Sequence, residues 1–288
     1  MVSIVIAAHN EEAVIGSCLD ALRRSGVGPD AEIIVSANGC TDRTAEVART
    51  HGAHVIDRPE PGKPGALNAA DEQATGFPRI YLDADIRVPA GGVAALERLL
   101  EQGASAAVPR RRIDTTGRPL AVRGYFAINE RLPVFRDGLF GRGMIAVSGE
   151  GRARFDRFPA MIADDLFLDS QFSDDEKAEA HDVVVVVEAP RTTRALLNRL
   201  VRVRRGNAEM RAASARGEVG VAVRSSDKWA WLRDVVVPQP RLIFAAVPYL
   251  AITIIAALRA RRPARGLDGW GRDDSTRGSG AGTRETVR

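Results

Sequence analysis

Asp83-Ala84-Asp85 ends the apolar run Arg79-Ile80-Tyr81-Leu82 with two carboxylates separated by one small residue. On an extended backbone, residues i and i+2 project from the same face, so the pair can address one cation together. Mg²⁺ or Mn²⁺ prefers such oxygen ligands and keeps positions for water and a substrate diphosphate. An Asp pair that ends a strand and caps the turn before Pro89 has the same spelling. The motif alone leaves both readings open.

Other residues along the chain could serve the same chemistry. Asp164-Asp165 precedes Leu166-Phe167-Leu168; the pair could simply cap a helix, or one acid could cap it while the other faces a cleft as a general base. Carboxylates this close disfavour joint ionisation, which raises one pKa toward a value suited to taking a proton. Lys63, in Gly62-Lys63-Pro64-Gly65-Ala66-Leu67-Asn68, stands just before a helix whose positive end could meet a diphosphate, or is simply a solvated loop lysine. The loop is not a P-loop, because the spacing and the Ser/Thr after Lys are missing. In Asn198-Arg199-Leu200-Val201-Arg202-Val203-Arg204-Arg205-Gly206-Asn207, forked guanidinium groups could clamp a diphosphate or simply form a solvated basic face. No aromatic is interleaved to stack bases, so nucleic acid is not the expected partner. Ala7-Ala8-His9-Asn10-Glu11-Glu12 and Ser36-Ala37-Asn38-Gly39-Cys40-Thr41-Asp42 each follow a strand signal. Either could meet a base or ribose, or serve as a turn and helix cap.

The elements that must position these residues alternate. Val2–Ala8, Glu32–Ala37, His54–Asp57 and Arg79–Asp83 read as strands. Helical patterns follow from Glu12, over Thr41–Thr50 with Thr41 or Asp42 as cap, near Gly65–Ala74, and over Val93–Leu100. This rhythm predicts an α/β fold with a mostly parallel, doubly wound sheet. Ligands of such sheets bind beyond the carboxyl ends of the strands, where Asn10, Asn38 and Asp83 through Asp85 fall. In the second half, Ala106–Pro109, Met144–Val147 and His181–Glu188 read as strands and Asp164 opens a short helix. Thr193–Ala215 reads as a long helix open to interruption at Gly206-Asn207.

With 288 residues, 45% hydrophobic and 27% charged, the chain can bury a large core. The net charge of +4 is too small to imply nucleic acid by itself. Two cysteines, Cys18 and Cys40, without a CxxC pattern point to a reducing compartment. The expected location is the cytoplasmic face of a membrane, because no signal-peptide pattern opens the sequence. Leu242–Leu258 carries no charge, contains Pro248 and is bounded by Arg241 and Arg259; it reads as a membrane-associated segment or a docking helix. The expected organisation is a catalytic domain over 1–218, C-terminal helices over 219–262, and a disordered Gly/Arg/Ser/Thr-rich tail over 263–288.

Taken in order over roughly residues 2–210, these motifs resemble the family-2 glycosyltransferases of the GT-A fold, with C-terminal helices appended. The resemblance implies an inverting, metal-dependent transferase, expected to move a hexose, with a nucleotide-sugar donor and Mn²⁺ or Mg²⁺. It places Asp85 on the metal, with Asp83 beside the ribose and able to join it. Ala8, Asn10, Glu11 and Asn38 fall around the donor, and Lys63, Arg204 and Arg205 near its diphosphate. Asp165, next to Asp164, matches the acid that deprotonates the acceptor hydroxyl. The apolar Leu242–Leu258 motivates a lipid-linked or glycan acceptor. Two departures stand out. Ala37 occupies the place of a base-reading acid, and the usual Gln-x-x-Arg-Trp is replaced by the Arg-rich run. A silent sugar-nucleotide-binding relative and a nucleotidyltransferase are the competing expectations.

Overall fold

The computed structural model of the chain describes residues 1–161 and 163–262; the expected tail over 263–288 lies outside the described residues. The first half alternates β1 (Ser3–Ala8), α1 (Glu12–Arg24), β2 (Glu32–Asn38), α2 (Thr44–Thr50), β3 (His54–Arg58), α3 (Lys63–Gln73), β4 (Arg79–Asp83) and α4 (Gly92–Glu101). The second half continues with β5 (Ala106–Asp114), α5 (Leu120–Asn129), α6 (Pro133–Asp137), β6 (Met144–Val147), α7 (Gly149–Arg152) and α8 (Asp164–Asp169). It ends with β7 (Lys177–Glu188), α9 (Thr193–Ala215) and α10 (Ile243–Ala260).

The seven strands form one sheet in the order β3-β2-β1-β4-β6-β5-β7. Only β6 runs antiparallel to its neighbours, so the sheet is mostly parallel as the alternation predicts. Helices cover both faces, and the period-two alternation of strands assigns the partners. Ile4, Ile6 and Ala8 of β1 pack with Ile15, Leu19 and Leu22 of α1 and Leu96 of α4. Val5, between them in sequence, faces the other way toward Leu67 and Ala70 of α3 and Met210 and Ala213 of α9. A third apolar cluster joins α5, α9 and α10 through Tyr125, Ile128, Leu196, Ala246, Tyr249 and Ile252.

Several boundaries depart from expectation for physical reasons. β5 continues past Pro109 to Asp114: Pro109 pairs with Ala180 and Arg110 with Val184, so β7 bulges over residues 181–183 at the residue that lacks an N–H. β7 begins at Lys177 because its polar first residues pair with β5 before that bulge. α2 starts at Thr44, whose N–H donates to Asp42 Oδ1 at 3.0 Å. α9 runs unbroken through Gly206-Asn207. A mid-helix glycine costs about 1 kcal/mol, and burial of Leu196, Leu197, Met210 and Ala213 outweighs it. α10 continues through Pro248, against which α5 presents Gly124; a Cβ there would lie 2.5 Å from Pro248 Cγ.

Candidate active site

The carboxyl ends of β1, β2 and β4 open on a cleft of about 1650 Å³, whose far wall is formed by α9 and the segment around Arg224–Asp234. Asp83 is the last residue of β4, and the chain turns at once: Ile86 N–H donates to Asp83 O at 3.1 Å. Asp85 therefore projects from a turn and not from the extended strand that the spacing predicts. It is exposed and lines the cleft, while Asp83 is half-buried.

Lys63, the first residue of α3, joins the two acidic motifs. Its Nζ lies 2.7 Å from Asp83 Oδ1 and 2.8 Å from Asp164 Oδ2. Burial works to discharge this lysine, but Asp164 and Asp83 outweigh it and hold the ammonium form. Burial likewise favours protonated Asp83, and the Lys63 charge reverses this and holds its carboxyl below the usual range. Among the described residues Asp165 forms no ion pair, and the Lys63 charge offsets its burial only in part. Burial first, then the neighbouring Asp164 charge, push its carboxyl up to about 6. Its oxygens accept from Leu166 N–H at 2.8 Å and Gly141 N–H at 3.3 Å.

The segment Gly138-Leu139-Phe140-Gly141-Arg142-Gly143 threads between these groups. Gly143 O accepts from Asp83 N–H at 2.8 Å, so the segment touches both the β4 end and Asp165. Gly141 and Gly143 have φ of 74° and 68°, the left-handed region that glycine enters without strain. A Cβ on Gly143 would lie 2.5 Å from Ile86 Cγ1 and 3.2 Å from Asp83 Oδ2. Arg142 anchors the segment from beneath; it is buried, ion-paired to Glu179, and donates to Pro109 O at 3.0 Å. No motif in the sequence marked this loop. Its three glycines, at 138, 141 and 143, are the available signal.

The remaining predicted residues divide between the cleft and the frame around it. Glu11 and Asn38 line the cleft. Asn38 also ties the strand ends together: its Nδ2 donates to Ala8 O at 2.8 Å and its Oδ1 accepts from Gly62 N–H at 2.9 Å. Ala8 is fully buried. Asn10 has a φ of 51° and accepts from Thr41 N–H at 2.7 Å, joining the β1 and β2 loops. Glu11 N–H donates to Thr44 Oγ1 at 2.6 Å.

The arginines of α9 point in different directions. Arg205 donates to the carbonyls of Arg259, Ala260 and Arg262, at 3.3, 3.3 and 2.9 Å, and so closes the carboxyl end of α10. Arg204 lines the cleft, and its charge reaches the Tyr125 and Tyr249 hydroxyls, whose rings stack at 5.3 Å. Charges that reach Asp83 from this helix are those of Arg199 and Arg202, nearer its start. Sequence spacing could not rank four arginines on one helix, since their directions depend on how α9 docks.

Among the described residues no group of three or more His, Cys, Asp or Glu side chains could hold a metal ion alone. Asp85 and Asp83 supply hard carboxylate oxygens at one edge of the cleft, a donor set that fits a divalent ion shared with a diphosphate.

The family model for glycosyl transferase family 2 matches residues 3–155. An uncharacterized glycosyltransferase of Mycobacterium tuberculosis is 34% identical over 111 residues, covering 38% of this chain and 49% of that protein. The chain thus spans about half the length of the curated relatives it matches first. A 4,4'-diaponeurosporenoate glycosyltransferase of Staphylococcus aureus is 46% identical over 55 residues, 19% of this chain and 14% of that one. Among solved structures, the mannosyltransferase PcManGT from Pyrobaculum calidifontis, in complex with GDP-Man and Mn²⁺, superposes with a TM-score of 0.59 at 20% identity. That superposition covers 92% of this chain and 76% of that one, and it shows a shared GT-A fold.

Proposed function

The chain belongs to glycosyl transferase family 2, and from that premise we propose that it moves a sugar from a nucleotide-sugar donor to an acceptor hydroxyl with inversion. The observation that carries this is the Lys63 bridge. One ammonium lies 2.7 Å from the carboxylate that ends β4 and 2.8 Å from the acid beside Asp165. Donor-side and acceptor-side carboxylates thus meet across a single cation.

In this proposal Asp165 takes the proton of the acceptor hydroxyl. The oxygen attacks the anomeric carbon of a hexosyl group from the face opposite the diphosphate. The bond between that carbon and the diphosphate oxygen breaks, and the nucleoside diphosphate leaves with the electron pair. Lys63, Arg199 and Arg202 stabilise the charge that gathers on it. A divalent ion, Mn²⁺ or Mg²⁺, held by Asp85 with Asp83 would supply further charge stabilisation. Glu11 and Asn38, at the nucleotide end, face the base and ribose, with Ala8 and Asn10 shaping the loops behind them.

We place the acceptor at a membrane surface, as a lipid-linked molecule or a glycan. Pro240–Ala260 is long and apolar enough to cross a membrane, yet α10 also packs against α5 and α9. Phe244, Val247, Ile254 and Leu258 remain exposed on its other side, and Arg241, Arg259, Arg261 and Arg262 flank it. A docked helix with a bare apolar face and basic ends suits the interface of an anionic bilayer on the cytoplasmic side.

Purified protein offered a panel of nucleotide sugars with Mn²⁺ or Mg²⁺ tests the reaction. One donor should release nucleoside diphosphate, and NMR of the transferred sugar should show inverted anomeric configuration. Retained configuration, release of pyrophosphate, or an Asp165→Asn variant as active as wild type would each refute the mechanism.

A further inference from the structure

Beside Pro109 the partner strand β7 bulges, with Ala180 paired to Pro109 and Val184 to Arg110, and Arg111 lies just past this point on β5. Arg111 shares a face of β5 with Ile113, which packs in the α5–α9–α10 cluster, and it lines the cleft. Its guanidinium carbon stands 3.7 Å over the centroid of Phe135, and Phe140 meets Phe135 edge-on at 5.6 Å.

The partners of this guanidinium are neutral. Nη1 donates to Gly141 O at 3.2 Å, and Nη2 reaches Asn129 Oδ1 at 3.5 Å. Among the described residues no carboxylate forms an ion pair with it, although Arg142 beneath it is paired to Glu179. Glu130, the nearest acid whose charge reaches it, accepts instead from Ile113 N–H. Burial first, then the Arg142 and Arg199 charges, lower the Arg111 pKa to about 10. A guanidinium stacked on an aromatic ring and lacking an acid partner is prepared for a ligand anion.

Its position identifies the ligand. Gly141 accepts from Arg111 through its carbonyl oxygen and donates to Asp165 through its N–H at 3.3 Å. The backbone of one residue therefore links the guanidinium to the carboxylate that activates the acceptor. Lys63 pairs with Asp83 and Asp164 and is not a partner of this peptide segment. Resting on the proposed transferase reading, we infer that Arg111 binds an oxyanion of the acceptor, a phosphate or carboxylate carried close to the hydroxyl that receives the sugar. Phe135 covers one face of the guanidinium.

The test uses full-length protein with whichever nucleotide sugar it consumes, and three small acceptors of like shape: glycerol 3-phosphate, glycerate and glycerol. At least one anionic acceptor should show a KM lower than that of glycerol by roughly tenfold or more, the worth of a charge-assisted pair. Which of the two wins distinguishes phosphate from carboxylate. Arg111→Gln should raise that KM by roughly tenfold while changing the donor KM by less than about twofold, and Arg111→Lys should recover part of the loss. Glycerol used as well as both anions, or a donor KM that rises in parallel in R111Q, would overturn the assignment.

A second measurement reads the site without turnover. Inorganic phosphate is titrated calorimetrically into wild type and R111Q with excess UDP or GDP and Mn²⁺ present to fill the donor side. Binding weakened by roughly tenfold in R111Q supports the anion site, and equal binding overturns it. A protein that consumes no nucleotide sugar, even with water as acceptor, refutes the transferase reading instead, and the titration still decides for or against Arg111.

Discussion

Asp165 needs two properties at once, an ionised carboxylate at neutral pH and enough basicity to take a proton, and a carboxyl pushed up to about 6 has both. The base acts in its ionised form, so lowering the pH through this value removes activity. We expect kcat/KM to fall by about tenfold per pH unit below about 6, as follows from a single titrating base. Asp165→Asn should lower kcat by roughly 10²–10⁴-fold and abolish that acid limb. Initial rates from pH 4.5 to about pH 8 check this; an unchanged limb in the variant would assign the titration to another group. The residue types of this site were legible one by one, because Asp, Lys and Arg announce their chemistry. Their pairing was not legible: Lys63 meets Asp83 and Asp164 only because α3 and α8 converge on the end of β4.

Two elements carry constraints that can be measured apart from chemistry. The loop over 138–143 depends on a left-handed backbone at Gly143, with Ile86 and Asp83 directly beside it. Gly143→Ala should destabilise the protein by about 1–2 kcal/mol from backbone conformation, with a further cost from the collision with Ile86. A lowered Tm together with reduced turnover is expected, and an unchanged Tm would mean the loop relaxes freely. At the other side of the cleft, Arg205 closes the end of α10 with three carbonyl contacts. Arg205→Ala should cost about 0.5–1.5 kcal/mol of stability, the net worth of a typical hydrogen bond. In a calorimetric titration of UDP or GDP with Mn²⁺ it should alter nucleoside diphosphate affinity less than Arg199→Ala does. The reverse order would return the diphosphate clamp to Arg205. Sequence periodicity revealed α9 and its basic content. The helix rotation that sends Arg205 to α10 and Arg199 toward Asp83 comes from the burial of Leu196, Leu197 and Met210.

The molecule as a whole joins a nucleotide-sugar fold to a helix whose outer side is unsuited to water. Phe244 is 84% exposed and Val247 68% exposed, both apolar and both on α10. Burying each in a bilayer interface contributes about 1.5–3 kcal/mol. The double change Phe244→Glu with Val247→Glu should reduce sedimentation with anionic phosphatidylglycerol vesicles by roughly tenfold or more. Its effect on folded stability should stay within about 0.5 kcal/mol per site, as for other surface positions. Wild-type protein that remains in the supernatant, or a variant that sediments equally, would sink the membrane assignment.

By itself the sequence determined the α/β class, the strand-helix alternation of the first half, the family and the acids and bases available to it. These are local or ordered properties: apolar periodicity, turn residues and motifs in a fixed succession. Only the tertiary structure decided that Asp85 projects from a turn, that Lys63 spans two motifs, and that the glycine-spaced loop links Asp83, Asp165 and Arg111. Those contacts join residues far apart in the chain, and their geometry is set by how helices dock on the sheet. A pattern of residue types along one dimension does not contain that geometry.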